Sequence, residues 1–377
     1  MNGLRILFVF RAPLGGLFRQ VIDLVRCQAK AGHQIGIVAD SMTGGDRAVE
    51  VFRELAPLCA LGIHRMPMYR NPNLTDITNI RAIGRLARDL KVDVLHGHGS
   101  KGGLYARASA VLGRSGPVRA YTPHGGSFNY EPGTLIHKAY MLVESLLERG
   151  TDVFTFESQF IADRFKAEVG ETDKLVRIVL NGLYPHEFEP RVTVDDPTDI
   201  VFIGELRAAK GIDLLLQSLA RLKDEGRTVT ATIIGGGPDE AMLKAMTDSL
   251  GIADRTVFTG PMIGSQGIRR GRIMAVPSRA ESLPYIVLEA VAAQVPLVTT
   301  GCGGIPEIVG ADYRWMVPAG ELEPLLGAMR EALDTSDAAL AEQARALADR
   351  ARPIFAAEKM ADDVVSAYRA AIARRTG

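Results

Sequence analysis

Short apolar runs alternate with stretches of helical period along this 377-residue chain, and after a polar, proline-bearing segment the alternation starts again. In the first pass the apolar runs are residues 4–10, 34–39, 93–96, 118–122 and 153–156, and the first helical stretch, 17–31, is closed by Gly32. Runs this short and this apolar read as strands buried on both faces, and strict strand–helix alternation predicts a doubly wound parallel sheet. Residues 190–199 (PRVTVDDPTD) are polar and carry Pro190 and Pro197, so a domain boundary is expected there. Beyond it, apolar runs at 200–204, 228–234, 257–259, 273–276 and 297–299 alternate with helical stretches at 211–225, 239–250, 285–293 and 321–333. The expected fold class is therefore α/β, with two Rossmann-like doubly wound parallel-sheet domains, residues 1–190 and 191–354. The stretch 355–373 is amphipathic with no strand behind it. Both sheets already have their helices, so residues 355–377 are expected to cross back to the N-terminal domain for an apolar surface.

Charge narrows the function classes. The 44 Lys and Arg residues are balanced by 44 Asp and Glu, which removes the global basic field of a sequence-independent nucleic-acid binder. Cys27, Cys59 and Cys302 show no C-x-x-C spacing, so neither a disulfide framework nor a zinc site is indicated, and a reducing cytoplasm fits. The apolar N-terminal run ends at Arg11, unlike a signal peptide, and no window approaches the roughly 18 uncharged apolar residues of a membrane span. Any membrane contact is expected to be peripheral, on the inner face of the cytoplasmic membrane.

In doubly wound sheets ligands bind at the carboxyl ends of the strands, where loops lead into helix N-termini. Gly15-Gly16 follows the first strand, as either an anion-facing turn or simply a tight connection. The loop 204–211 places Arg207 and Lys210 just before a helix, an arrangement that opposes the helix dipole unless an anion lies between. Gly235-Gly236-Gly237-Pro238 follows the next strand, but Glu240 stands where the third glycine of G-x-G-x-x-G would be, which argues against NAD chemistry. Glu281 sits in a loop flanked by Pro277 and Pro284, and Glu289 lies on the following helix within reach of the same cleft. Gly301-Cys302-Gly303-Gly304 is a further glycine-rich strand end. His96 and His98 form H-x-H, taken to point to opposite faces of a strand, and no D-x-D stands in a site position, so no metal is expected. Lys101, Arg107, Arg114 and Arg119, with the apolar stretch 139–147, are read as a basic, partly apolar face for anionic lipid.

With these pieces in order, the chain resembles the retaining family 4 glycosyltransferases (glycosyltransferase group 1) of the GT-B fold, of the bacterial cell-surface and exopolysaccharide type. The matching pieces are the Gly15-Gly16 loop, Thr122-Pro-His124-Gly125, Asn181-Gly182, the G-x-L-x-x-x-K-G loop 204–211, the G-x-G-P turn, the glutamates eight apart, and Gly303-Gly304-Ile-Pro-Glu307. The resemblance implies two Rossmann-like domains facing a central cleft, an N-terminal one for the acceptor and a C-terminal one for the nucleotide-sugar donor. It implies that Arg207 and Lys210 grip the donor diphosphate, that Glu289 bonds the ribose hydroxyls and that Glu281 contacts the transferred sugar. It also implies that Gly15 and Gly16 admit the phosphates, that Gly237, Ser282 and Leu283 lie along the donor, and that His124 touches the sugar near the reacting carbon. No cofactor or metal is implied. Two departures stand out: Glu281-Ser282-Leu283-Pro284 replaces the usual Glu-Gly-Phe-Gly, removing one amide at Pro284, and Gln294 replaces a helix-closing glycine.

The expected activity is transfer of a sugar from a UDP- or GDP-sugar to a lipid-linked or polysaccharide acceptor in envelope assembly, without nucleic acid. A nucleotide-sugar epimerase or hydrolase of the same fold is the nearest alternative. An NAD-dependent oxidoreductase or a non-catalytic nucleotide-sugar sensor is more distant.

Overall fold

The computed structural model describes residues 3–109, 116–130, 132–190 and 194–376. It divides into two compact units, Met1–Gly182 with Ala357–Gly377, and Leu183–Ala356. The division falls between Gly182 and Leu183, ahead of the segment 190–199, where the sequence places it.

The first unit runs β1 (Arg5–Phe10), α1 (Gly15–Lys30), β2 (Gln34–Asp40), α2 (Gly45–Leu55), β3 (Ile63–Met66), α3 (Thr75–Asp89), β4 (Val94–His98), α4 (Gly99–Ala108), β5 (Val118–Thr122), α5 (Leu135–Glu148), β6 (Val153–Phe156), α6 (Gln159–Glu168) and β7 (Leu175–Ile178). Its strands lie in the order β3-β2-β1-β4-β5-β6-β7, and every pairing is parallel. Chain order reverses between β1 and β4, the switch point at which such sheets open a crevice.

The second unit continues with β8 (Thr198–Ile203), α7 (Ile212–Asp224), β9 (Ala231–Ile234), α8 (Glu240–Ser249), β10 (Thr256–Gly260), α9 (Gly264–Gly267), β11 (Gly271–Val276), α10 (Tyr285–Ala292), β12 (Leu297–Thr300), α11 (Ile305–Val309), β13 (Met316–Val317), α12 (Leu322–Asp334) and α13 (Asp337–Ala351). The order β10-β9-β8-β11-β12-β13, again parallel, puts its switch point between β8 and β11.

The last helix, α14 (Ala357–Thr376), belongs to the first unit. Met360, Val364, Ala367, Tyr368 and Ala371 recur at helical spacing and share one core with Phe18, Val21 and Val25 of α1 and Ile6 and Phe8 of β1. At its end Arg375 holds Asp152, which precedes β6, at 2.6 Å.

The apolar runs mark every interior strand and one edge strand, β10. The sequence pattern passes over β3, β7 and β13, which lie at sheet edges. In β3 and β7 the residues His64, Arg65 and Arg177 keep contact with water and break the apolar run, and β13 is only two residues long.

The basic face expected from Lys101, Arg107, Arg114 and Arg119 does not form. Lys101 is pinned to Asp76 at 2.6 Å. Arg107 is fully buried, 2.8 Å from Glu144 and 3.7 Å above the Tyr121 ring. Arg119 pairs with Asp152 at 3.0 Å, and Arg114 lies outside the described residues. Each acidic partner comes from a different element, so no local pattern reveals it. The apolar part of that expectation has a structural counterpart in α5, which carries apolar side chains on its outer side as well as its buried one. Its buried side carries His137 and Glu144 together with Met141 and Leu147, while Leu135, Ile136, Leu142, Val143 and Leu146 are exposed.

Candidate active site

At the switch point of the second unit the loops after β8 and β11 are in backbone contact. Gly211 has φ +66, and a Cβ there would lie 2.0 Å from the carbonyl oxygen of Pro277, so only glycine lets the two loops close. Arg279 reinforces the contact. Its amide donates to Ala209 O and its guanidinium takes Asp213 through two hydrogen bonds of 2.7 Å.

This clamp brings Lys210 and Glu281 together, with Nζ 2.6 Å from Oε1. The Ser278 hydroxyl donates to the same oxygen at 2.7 Å. Glu281 is 9% exposed, and its Oε2 makes no hydrogen bond among the described residues. Arg207, the second cation of the loop, is exposed and lies 3.0 Å from Glu205. The anions that answer the two cations in this structure are thus Glu281 and Glu205, both supplied by the chain. Ser278 has no sequence signal beyond its place two residues past a strand end.

The neighbouring strand-end loops back onto this pair. A Cβ on Gly237 would meet Leu206 O at 2.3 Å, and the Asp239 amide donates to the same carbonyl. The Gly304 amide donates to Ser282 O at 2.6 Å. Leu283 is buried in the core and Ser282 is half-buried, so Leu283 has only its backbone to offer a ligand. Pro284 is the N-cap of α10. Glu289 is in the second turn of that helix, half-buried, with Oε2 only 2.5 Å from where a Gly264 Cβ would be. The Cys302 thiol is pushed up to about 11 by burial, which keeps it neutral and unreactive.

In the first unit Gly15, with φ +64, opens α1 into free space, and Gly16 follows. The N-cap, Leu14, has no capping side chain and the first turn has no acid, so the positive end of α1 is not neutralised locally. His124, in the loop after β5, is half-buried with φ +54, a left-handed conformation uncommon outside glycine. Its Nε2 lies 2.9 Å from Nδ1 of His98. His96 bonds the Tyr368 hydroxyl through Nδ1 at 2.6 Å and the Thr122 hydroxyl through Nε2 at 2.9 Å, linking α14 to β4 and β5. Burial holds all three histidines below the usual range, His124 at about 3.

The H-x-H expectation is corrected here. Residues two apart on a strand share a face, and the His96 and His98 rings are 3.9 Å apart, centre to centre. Among the described residues no three His, Cys, Asp or Glu side chains gather as a metal-binding group.

Comparison with known proteins adds to this geometry. Residues 14–187 match the family model described as Glycosyltransferase Family 4, and residues 185–352 that described as Glycosyl transferases group 1. The alpha-D-kanosaminyltransferase of Streptomyces kanamyceticus is 29% identical over 46% of this chain and 44% of its own length. The D-inositol 3-phosphate glycosyltransferase of Mycobacteroides abscessus is 33% identical over 47% of this chain and 40% of its own. The chain therefore spans less than half the length of either curated relative. The crystal structure of Anabaena Alr3699/HepE in complex with UDP-glucose superposes with a TM-score of 0.79 at 16% identity, covering 97% of this chain and 100% of that one. The chain thus carries a Glycosyltransferase Family 4 domain in its N-terminal half and a Glycosyl transferases group 1 domain in its C-terminal half.

Proposed function

We propose that the protein transfers a sugar, with retention of anomeric configuration, from a UDP- or GDP-sugar to a lipid-linked or polysaccharide acceptor in cell-envelope or exopolysaccharide assembly. The observation that carries this reading is the Lys210–Glu281 pair at the switch point of the second unit. The ammonium has three donors. One is held by Glu281, and the others remain for the donor diphosphate, with Arg207 as the second cation. Glu281 has Oε1 committed to Lys210 and Ser278, so Oε2 is the atom that accepts from the sugar hydroxyls. Glu289 takes the ribose hydroxyls, and Gly237 with the Ser282 and Leu283 backbone lies along the donor. In the first unit, Gly15 and Gly16 offer bare backbone to phosphate, and His124 contacts the sugar.

As the glycosidic bond to the leaving phosphate breaks, negative charge grows on that phosphate and positive charge on the ring. Lys210 and Arg207 stabilise the first, in place of a divalent cation. The acceptor hydroxyl gives its proton to the departing phosphate as its oxygen bonds the anomeric carbon. A similar solved structure holds UDP-glucose, which supports a nucleotide-sugar donor. Glu240 in place of a third glycine weighs against NAD chemistry, and an epimerase or hydrolase would produce no new glycosidic linkage. UDP- and GDP-sugars are to be screened by thermal shift, followed by NMR of the product formed with a lipid-linked acceptor. An inverted linkage, or free sugar as the sole product, overturns the reading.

Peripheral contact with an anionic membrane, from the cytoplasmic side, belongs to the same reading. No helix among the described residues is long and apolar enough to cross a membrane. The exposed positions of α5 combine Leu135, Ile136, Leu142, Val143 and Leu146 with Lys138, Arg149 follows at its end, and none of those positions is acidic. Such a face lies in a lipid interface. A face-to-face pairing of two α5 copies would instead set cations against cations. Leu142→Glu with Leu146→Glu is expected to abolish co-sedimentation with vesicles containing phosphatidylglycerol. Unchanged co-sedimentation, or a dimer that the double variant dissociates, speaks against it.

A further inference from the structure

His98 is buried, 1% exposed, and takes no part in the roles above. Its Nδ1 faces Nε2 of His124 at 2.9 Å, while its own Nε2 is buried with no partner among the described residues. The ring packs against Phe8, at 5.5 Å between centres, and His96, at 3.9 Å, and these two rings also adjoin each other at 5.8 Å.

A hydrogen bond between two neutral imidazoles needs a proton on one nitrogen and a lone pair on the other, which leaves two arrangements. In one, His124 donates from Nε2 to His98. The proton of His98 must then sit on its Nε2, as a buried N–H with nothing to receive it. In the other, His98 donates from Nδ1, and only a lone pair is left over at its Nε2. Orphaned buried N–H groups are rarer than orphaned acceptors, and a stranded donor loses its full solvation. The second arrangement is therefore the favoured one, and it fixes the far ring as well: with Nε2 of His124 accepting, its proton lies on Nδ1. No described residue receives that N–H, but His124 is only half-buried and its Nδ1, unlike Nε2 of His98, is not a buried unpartnered atom, so water or a ligand can take it.

We infer that His98 is a positioning residue that locks His124 in its Nδ1–H form, so that His124 presents a hydrogen-bond donor to a substrate oxygen and has no lone pair free to act as a base. This rests on the glycosyltransferase reading only for the identity of the oxygen, a hydroxyl or ring oxygen of the transferred sugar. The tautomer itself is independent of it. The left-handed backbone at His124 fits such a role, since strained conformations persist where surrounding contacts over-determine them.

Asparagine places its amide nitrogen near the Nδ1 position of histidine, so His98→Asn retains the donor, whereas His98→Leu keeps bulk and removes it. The full-length protein, labelled with 15N-histidine, is to be examined by long-range proton–nitrogen correlation at pH 7.5, with His124→Asn used for assignment. A protonated Nδ1 and a bare Nε2 at His124 are expected in wild type and His98→Asn. In His98→Leu that preference is lost. Turnover of the best donor should fall about tenfold in kcat for His98→Leu, with nucleotide Kd within twofold, and return to within threefold of wild type in His98→Asn. A His124 protonated on Nε2 in wild type overturns the inference, as does unchanged kcat in a folded His98→Leu variant. Should no sugar be transferred at all, the nitrogen spectrum still decides the tautomer, and it does so in wild type even if the leucine variant fails to fold.

Discussion

Nζ of Lys210 lies 2.6 Å from Oε1 of Glu281, and the two residues, 71 apart in sequence, join the loops that follow adjacent strands β8 and β11. Removing one member of such a close charged pair typically costs about 2–5 kcal/mol. Lys210→Ala is therefore expected to lower kcat/KM by about 30-fold or more. Activity within threefold of wild type rejects the diphosphate role.

The two glutamates should separate by kinetics. Glu281→Gln keeps the shape but weakens the acceptor held against the sugar, so kcat is expected to fall at least about tenfold with nucleotide affinity little changed. Glu289→Gln should instead weaken nucleotide binding itself. Calorimetry with free nucleotide distinguishes them, and equal loss of affinity in both variants contradicts the assignment.

With Lys210 and Arg207 carrying the charge of the leaving diphosphate, turnover is expected to survive EDTA. Loss of activity that Mg²⁺ or Mn²⁺ restores would sink the cation-only account.

Acid should destabilise the first unit. Burial lowers His96 and His98 well below 6.5, and His124 from 6.5 to about 3. Between the folded and unfolded values the unfolded chain binds more protons than the folded one, so stability is complete above about pH 6.5 and is lost as pH falls. Each histidine contributes up to about 1.4 kcal/mol per pH unit through that window. Urea midpoints measured from pH 7.5 to 5 check it, and a flat profile excludes neutral burial.

Gln294 occupies φ +57 just past α10, with its amide bonded to Val291 O and that of Val295 to Ala290 O. This is the Schellman arrangement, in which glycine is preferred at the left-handed position. Gln294→Gly is expected to raise Tm by about 2 °C, corresponding to roughly 0.5–1 kcal/mol. A lower Tm by calorimetry would falsify the strain assigned to this residue.

Patterns that act over a few residues could be read before any fold was known. Continuous apolar runs specify strands buried on both faces, glycines and prolines mark strand ends, and the period of residues 355–373 demands an apolar partner. Those signals suffice for two doubly wound sheets and for the loops that carry Arg207, Lys210, Glu281 and His124. Edge strands β3 and β7 escaped because a half-wet strand has no unbroken apolar run, and β13 because it is only two residues long. What the sequence could not specify are pairings between distant elements. Arg107, read as part of a basic surface, is fully buried because Glu144 arrives from α5 to neutralise it. Ser278 meets Glu281, and His98 meets His124, only after β4, β5, β8 and β11 have taken their places in the sheets. Local propensity depends on neighbours in the chain, whereas the charge state and aim of a buried polar group depend on whichever partner the packed structure delivers, and that was decided by tertiary structure alone.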